Sequence, residues 1–123
     1  MRAVLLVMAG GAAGALARYA VGLLFSQLRV SAVWATLAVN VSGSFALGFL
    51  LALLISRSST GGALQLAAGV GFLGSFTTFS TVMGDTVFLV QQGSLGMAAF
   101  NLGASLALGL AAAALGFWMG RLV

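Results

Sequence analysis

The chain lacks cysteine, histidine, lysine, glutamate and proline altogether, and its single acid is Asp85. Without cysteine there is no disulfide framework and no thiolate metal site. With no histidine or lysine and no second carboxylate, acid–base catalysis has little to work with. A metal site built from side chains is excluded on the same grounds, so an enzyme is not expected, although a cation held by backbone carbonyls stays open. All five cations are arginines (Arg2, Arg18, Arg29, Arg57 and Arg121), and a net charge of +4 this dispersed does not suggest a nucleic-acid partner.

What remains is apolar. Of 123 residues, 62% are hydrophobic and only 5% charged; mean hydropathy is +1.20. A soluble domain of this size needs far more charge on its surface. The solvent that tolerates this sequence is the lipid bilayer, which makes the chain a multi-pass protein of the cell membrane. Four stretches reach the roughly 20 apolar residues that cross a hydrocarbon core: about 3–25, about 33–55, about 63–90 and about 96–120. Residues 1–123 therefore read as one all-α transmembrane domain. The run after Arg2 lacks a convincing cleavage site and is expected to belong to the mature protein. Trp34 and Trp118 fall near span ends, where aromatic belts form.

Eighteen glycines in such a protein need a reason. Gly10 with Gly14, and Gly116 with Gly120, form GxxxG pairs that let helix backbones approach closely. The third span differs. Gly69, Gly71 and Gly74 lead into Ser75-Phe76-Thr77-Thr78-Phe79-Ser80-Thr81 before apolar sequence resumes. Glycine and hydroxyls in mid-span read as a helix interruption, tolerated only where protein or an aqueous cavity covers the freed backbone. The competing reading is a kinked helix whose hydroxyls bond back to its own carbonyls.

An even number of spans puts Arg2, Arg57 and Arg121 on one side and Arg29, with Arg18 late in the first span, on the other. Three against two is a weak bias, compatible with insertion both ways round and with an antiparallel dimer. Polar residues also recur at helical spacing: Thr36, Asn40 and Ser44 in the second span; Thr77, Thr81 and Asp85, beside Thr78 and Ser80, in the third; Asn101 and Ser105 in the fourth. Residues four apart share a helix face. One stripe alone is ordinary helix–helix glue; three favour a polar track. Amides and hydroxyls donate to a small anion, although they accept as well, and Phe76 and Phe79 have partially positive ring edges. Arg18 and Asp85 are candidates for a charged pair within or between subunits, with Arg18 snorkelling to the interface as the alternative.

The segment Gly71-Phe72-Leu73-Gly74-Ser75-Phe76-Thr77-Thr78-Phe79-Ser80-Thr81 resembles the third-helix signature of the Fluc (CrcB) fluoride channels. Gly10-Gly11, Gly14-Ala15 and Arg18-Tyr19 look like that family's first-helix motif. Thr36-Leu37-Ala38-Val39-Asn40, followed by Gly43 and Gly48, is similar to its second-helix motif. The resemblance covers essentially the whole chain. It implies an antiparallel, dual-topology homodimer with a third helix broken in mid-membrane and two pores that export fluoride passively. It also implies a structural sodium ion at the dimer centre, held by the carbonyls of Gly74 and Thr77 from each subunit. Asn40 would orient the pore phenylalanine and donate to the ion, and Phe79 would present a ring edge to fluoride. Thr78, Ser80, Thr81, Asn101 and Ser105 would complete the pathway.

Three positions depart from the family pattern: Val82 stands where a second pore phenylalanine is usual, Ser75 replaces a glycine, and Asp85 replaces a glutamate. Two other classes fit four short spans. A proton-coupled multidrug exporter would need a membrane carboxylate, and the first span carries none. A non-transporting assembly subunit would tolerate alanine in the polar stripes.

Overall fold

The computed structural model describes residues 1–56 and 61–123. Arg57, counted above in the charge bias, lies outside the described residues. The elements in chain order are α1 (Arg2–Gln27), α2 (Ala32–Ser56), α3 (Gly61–Leu64), a π-helical segment (Gln65–Leu73), α4 (Gly74–Phe76), α5 (Phe79–Gln91) and α6 (Leu95–Gly120). Together they make four helical units long and apolar enough to cross a membrane: Arg2–Gln27, Ala32–Ser56, Gly62–Gln91 and Leu95–Gly120. Leucines such as Leu16, Leu24, Leu106 and Leu110 stay exposed. Helices apolar on all sides are buried in lipid or in other helices.

The third unit is interrupted close to its middle. Helix α4 stops at Phe76, Thr77 is extended (φ −77°, ψ 156°), Thr78 is extended (φ −152°, ψ 112°), and α5 starts at Phe79. This is a break in the helix, where the kinked-helix reading required continuous winding. The π-helical stretch just before it is nine residues long, whereas such winding is usually confined to single-turn bulges.

Glycines bring the backbones together. A Cβ at Gly10 would collide with the Ala67 carbonyl, and one at Gly14 with the Phe72 carbonyl, so α1 lies directly on the π-helical segment. The second seam joins α2 to α6, the most extensive helix pair. There Gly48 faces the Ala113 carbonyl, while Gly116 faces the Phe45 carbonyl in return. Lipid offers helices no hydrophobic drive to associate, so close van der Waals contact across small residues supplies it. Two of the connections are tight. Val30 N–H donates to the Phe25 carbonyl at 2.9 Å across Arg29 (φ 54°), and Ser94 N–H to the Leu89 carbonyl at 2.9 Å across Gly93 (φ 75°). Both are left-handed helix closures. Trp34 sits at the start of α2 and Trp118 at the end of α6, each partly exposed.

Gly14→Ala is expected to destabilise the fold by about 1–3 kcal/mol through overpacking. Gly96→Ala, with nothing within 4 Å of the added carbon, should stay within about 0.5 kcal/mol of the parent. Thermal unfolding of the two purified variants in detergent distinguishes them; equal midpoints would contradict the α1 seam.

Candidate functional site at the helix break

Extended backbone at membrane depth must find hydrogen-bond partners inside the protein. Helix α2 provides them. At Gly43 the absence of a side chain leaves room for the Thr77 methyl group and the Phe76 ring, so the break lies close against α2. One turn earlier on α2, the Asn40 carboxamide meets Thr78 with both its ends. Thr78 N–H donates to Asn40 Oδ1 at 2.7 Å, and Asn40 Nδ2 donates to the Thr78 carbonyl at 2.9 Å. The side chain acts as a neighbouring strand would, and the pairing fixes which end of the amide is which. One Nδ2 hydrogen is left over.

The Thr78 side chain caps the next helix. Its Oγ1 accepts from Thr81 N–H at 3.2 Å and lies 2.9 Å from Thr81 Oγ1 and 3.2 Å from Ser80 Oγ. Three of the hydroxyls singled out in the sequence thus form one cluster at the start of α5, with Thr78 buried (8% exposed). Thr77 behaves differently: its hydroxyl donates back to the Leu73 carbonyl at 2.9 Å, beside the final helical bond from its own N–H. The Gly74 carbonyl loses its usual helical donor, because Thr78 N–H has gone to Asn40. Helix termini leave their last carbonyls unpaired in this way. Gly74 and Ser80 are exposed on the surface of the chain, and Phe79 is 67% exposed.

Two cavities flank the break, and Thr78 lines both. One, of about 410 Å³, is walled by Asn40, Ser44, Phe79, Val82 and Ser105 among others. The other, of about 550 Å³, runs between α1 and α2 and brings Arg18 and Tyr19 to the same space as Thr36 and Thr81. Ser105 Oγ has no hydrogen-bond partner. Phe76 is removed from the cavities by packing: its ring stacks on Phe72 at 5.6 Å.

Asn101 stands apart from the other sequence candidates. It is 1% exposed, lines neither cavity, and donates from Nδ2 to the Val82 carbonyl at 3.1 Å and to Thr86 Oγ1 at 2.8 Å. Thr86 Oγ1 itself donates to the Val82 carbonyl at 2.7 Å, so it can only accept from Asn101. Both Nδ2 hydrogens are therefore used and none remains for an anion. Oδ1 is buried without a partner, which costs about 1–3 kcal/mol. Asp85 is held within the chain by Thr36, whose Oγ1 lies 3.1 Å from Asp85 Oδ2 and 3.1 Å from the Ala32 carbonyl. Its partner here is thus a threonine, while Arg18 faces the larger cavity. Thr86 and Val82 entered no functional stripe in the sequence. An asparagine and a threonine on neighbouring apolar helices were the only available signal for that contact.

The oxygens at the break suit a hard monovalent or divalent cation, which takes carbonyl ligands. The Gly74 and Thr77 carbonyls are of that kind. The single carboxylate in the neighbourhood is engaged by Thr36.

Residues 5–117 match the family described as CrcB-like protein, Camphor Resistance (CrcB). Among curated relatives, the chain is 47% identical over 116 residues to a fluoride-specific ion channel (FluC 3) of Streptomyces avermitilis, covering 94% of this chain and 57% of that protein. It is 41% identical over 118 residues to the fluoride-specific ion channel FluC of Acidobacterium capsulatum, covering 95% and 91%. With FluC of Thermus thermophilus it shares 43% identity over 121 residues, covering 98% and 96%.

Asn40→Ala leaves the Thr78 N–H without its partner and removes one of the donors to the Thr78 carbonyl, and is expected to lower stability by about 1–3 kcal/mol. An unchanged thermal midpoint for the purified variant would show that the break does not depend on this amide.

Proposed function

The chain belongs to the CrcB family of fluoride-specific ion channels, and from that premise we propose that two copies, inserted antiparallel, carry fluoride passively out of the cell. The observation that supports this most is the break at Thr77–Thr78. The unpaired Gly74 carbonyl and the exposed Ser80 hydroxyl cannot face hydrocarbon in mid-membrane. A second copy of the chain, meeting the first across Gly74, Phe79 and Ser80, supplies the cover.

Fluoride entering a low-dielectric space must exchange its water for donors. The smaller cavity offers them in the spare N–H of Asn40 and the unpartnered hydroxyl of Ser105, with the ring edge of Phe79 beside them. Thr81, hydrogen-bonded with Ser80 to the same Thr78 hydroxyl, extends this donor set to the larger cavity, where the Arg18 guanidinium adds positive charge. Asn40 thus has two tasks, holding Thr78 and donating inward. Asn101 contributes no donor to the ion.

The sodium ion of this proposal is held by the Gly74 and Thr77 carbonyls of both copies. When bound it supplies positive charge that offsets part of the cost of a small anion in a dry pore. The fit rests on oxygen ligands released by the break, and because they are backbone atoms upstream of Val82, valine at that position does not remove them.

Purified protein in liposomes loaded with fluoride is expected to release it, as read by a fluoride electrode, while chloride-loaded liposomes stay closed. No fluoride release would leave the fold standing and remove the activity. Exchange into sodium-free buffer should lower the thermal midpoint, with recovery on adding sodium but not choline. An identical midpoint in all three buffers would remove the bound cation.

A further inference from the structure

Helix α5 is gripped from two sides by carboxamides. Asn40 of α2 holds its N-cap at Thr78, and Asn101 of α6 holds it one turn and two turns further on, at the Val82 carbonyl and Thr86 Oγ1. Val82 and Thr86 are four residues apart and share one face of α5. Because the Thr86 proton is committed to the Val82 carbonyl, the Asn101 amide has one allowed orientation, with its oxygen buried and unpaired. A leucine would fill the same space without an orphaned acceptor. What the carboxamide adds is a pair of N–H groups aimed at α5.

Phe79 is the first residue of α5 and lines the smaller cavity, so any rotation of α5 moves its ring relative to that cavity. From this geometry we infer that Asn101 is a positioning residue for the ion pathway. It sets the rotation and height of α5, and thereby keeps Phe79 in the cavity shared with Asn40 and Ser105. This inference rests on the fluoride-channel reading of that cavity. Asn101 acts through α5 and does not touch the ion.

The test compares the wild-type chain with Asn101→Leu, Thr86→Val and the double variant, each reconstituted at equal protein density, with fluoride and chloride efflux measured in parallel. Asn101→Leu is expected to slow fluoride efflux about tenfold and to lower the fluoride-to-chloride ratio. Thr86→Val should shift both in the same direction by less. The double variant should be no worse than Asn101→Leu, because the two residues share one bond. A purely structural role would reduce yield or thermal midpoint and leave the ratio per protein unchanged. That result, or full additivity of the two single variants, overturns the inference. If Asn101→Leu cannot be recovered folded, Thr86→Val decides: a wild-type ratio overturns the proposal and a lowered one supports it. A wild-type chain that moves no fluoride removes the channel reading, and this inference with it.

Discussion

The fold turns on one side chain meeting one peptide. Inside hydrocarbon an unpaired N–H or carbonyl costs several kcal/mol, so a helix can open in mid-span only where something replaces its lost bonds. Asn40 replaces the one lost by the Thr78 N–H and adds a second at the Thr78 carbonyl. Gly43, one turn later on α2, makes the approach possible by leaving space for Thr77 and Phe76. With the amide in place, Thr78 is free to cap α5 with its hydroxyl, and the Gly74 carbonyl is left without its usual helical donor. The cavities, the hydroxyl cluster and the exposed phenylalanine all follow from that local exchange.

Much of this architecture was legible in the residues. Composition alone required lipid, and the length of the apolar runs required four spans. The run of glycine and hydroxyls after Gly69 favoured an interruption over a kink, and the break falls at Thr77–Thr78. The pairing of Gly10 with Gly14 and of Gly116 with Gly120 anticipated the close seams, although not their partners: one seam lies on a π-helical surface and the other on α2. The winding of Gln65–Leu73 was invisible, because no side-chain pattern separates i→i+5 from i→i+4 bonding in a run of alanine, glycine and leucine.

The site was less legible than the fold. Spacing put Thr77, Thr81 and Asp85 in one stripe, yet their partners are different: Thr77 turns back to Leu73, Thr81 joins the cap, and Asp85 meets Thr36. A shared helix face does not give a shared task, because each polar group takes the partner nearest to it, backbone for Thr77 and side chain for Thr81 and Asp85. Asn101 was grouped with Ser105 for the same reason, and the helix separates them: Ser105 reaches the cavity while Asn101 is spent on α5. Val82 stood out only as a missing aromatic ring. In the structure it is 2% exposed, and its carbonyl is the point where α5 and α6 are fastened.

The wide winding before the break also bears on how the chain fits its bilayer. The third unit has 30 residues where the others have 25 or 26, so an unmodified α-helix of that length would overshoot by roughly 6 Å at 1.5 Å per residue. A helix of larger radius climbs less with each residue, and Gln65–Leu73 stores contour length in this way. The segment works as a take-up spool. It takes back part of the length that the two extended residues, Thr77 and Thr78, add to the same crossing.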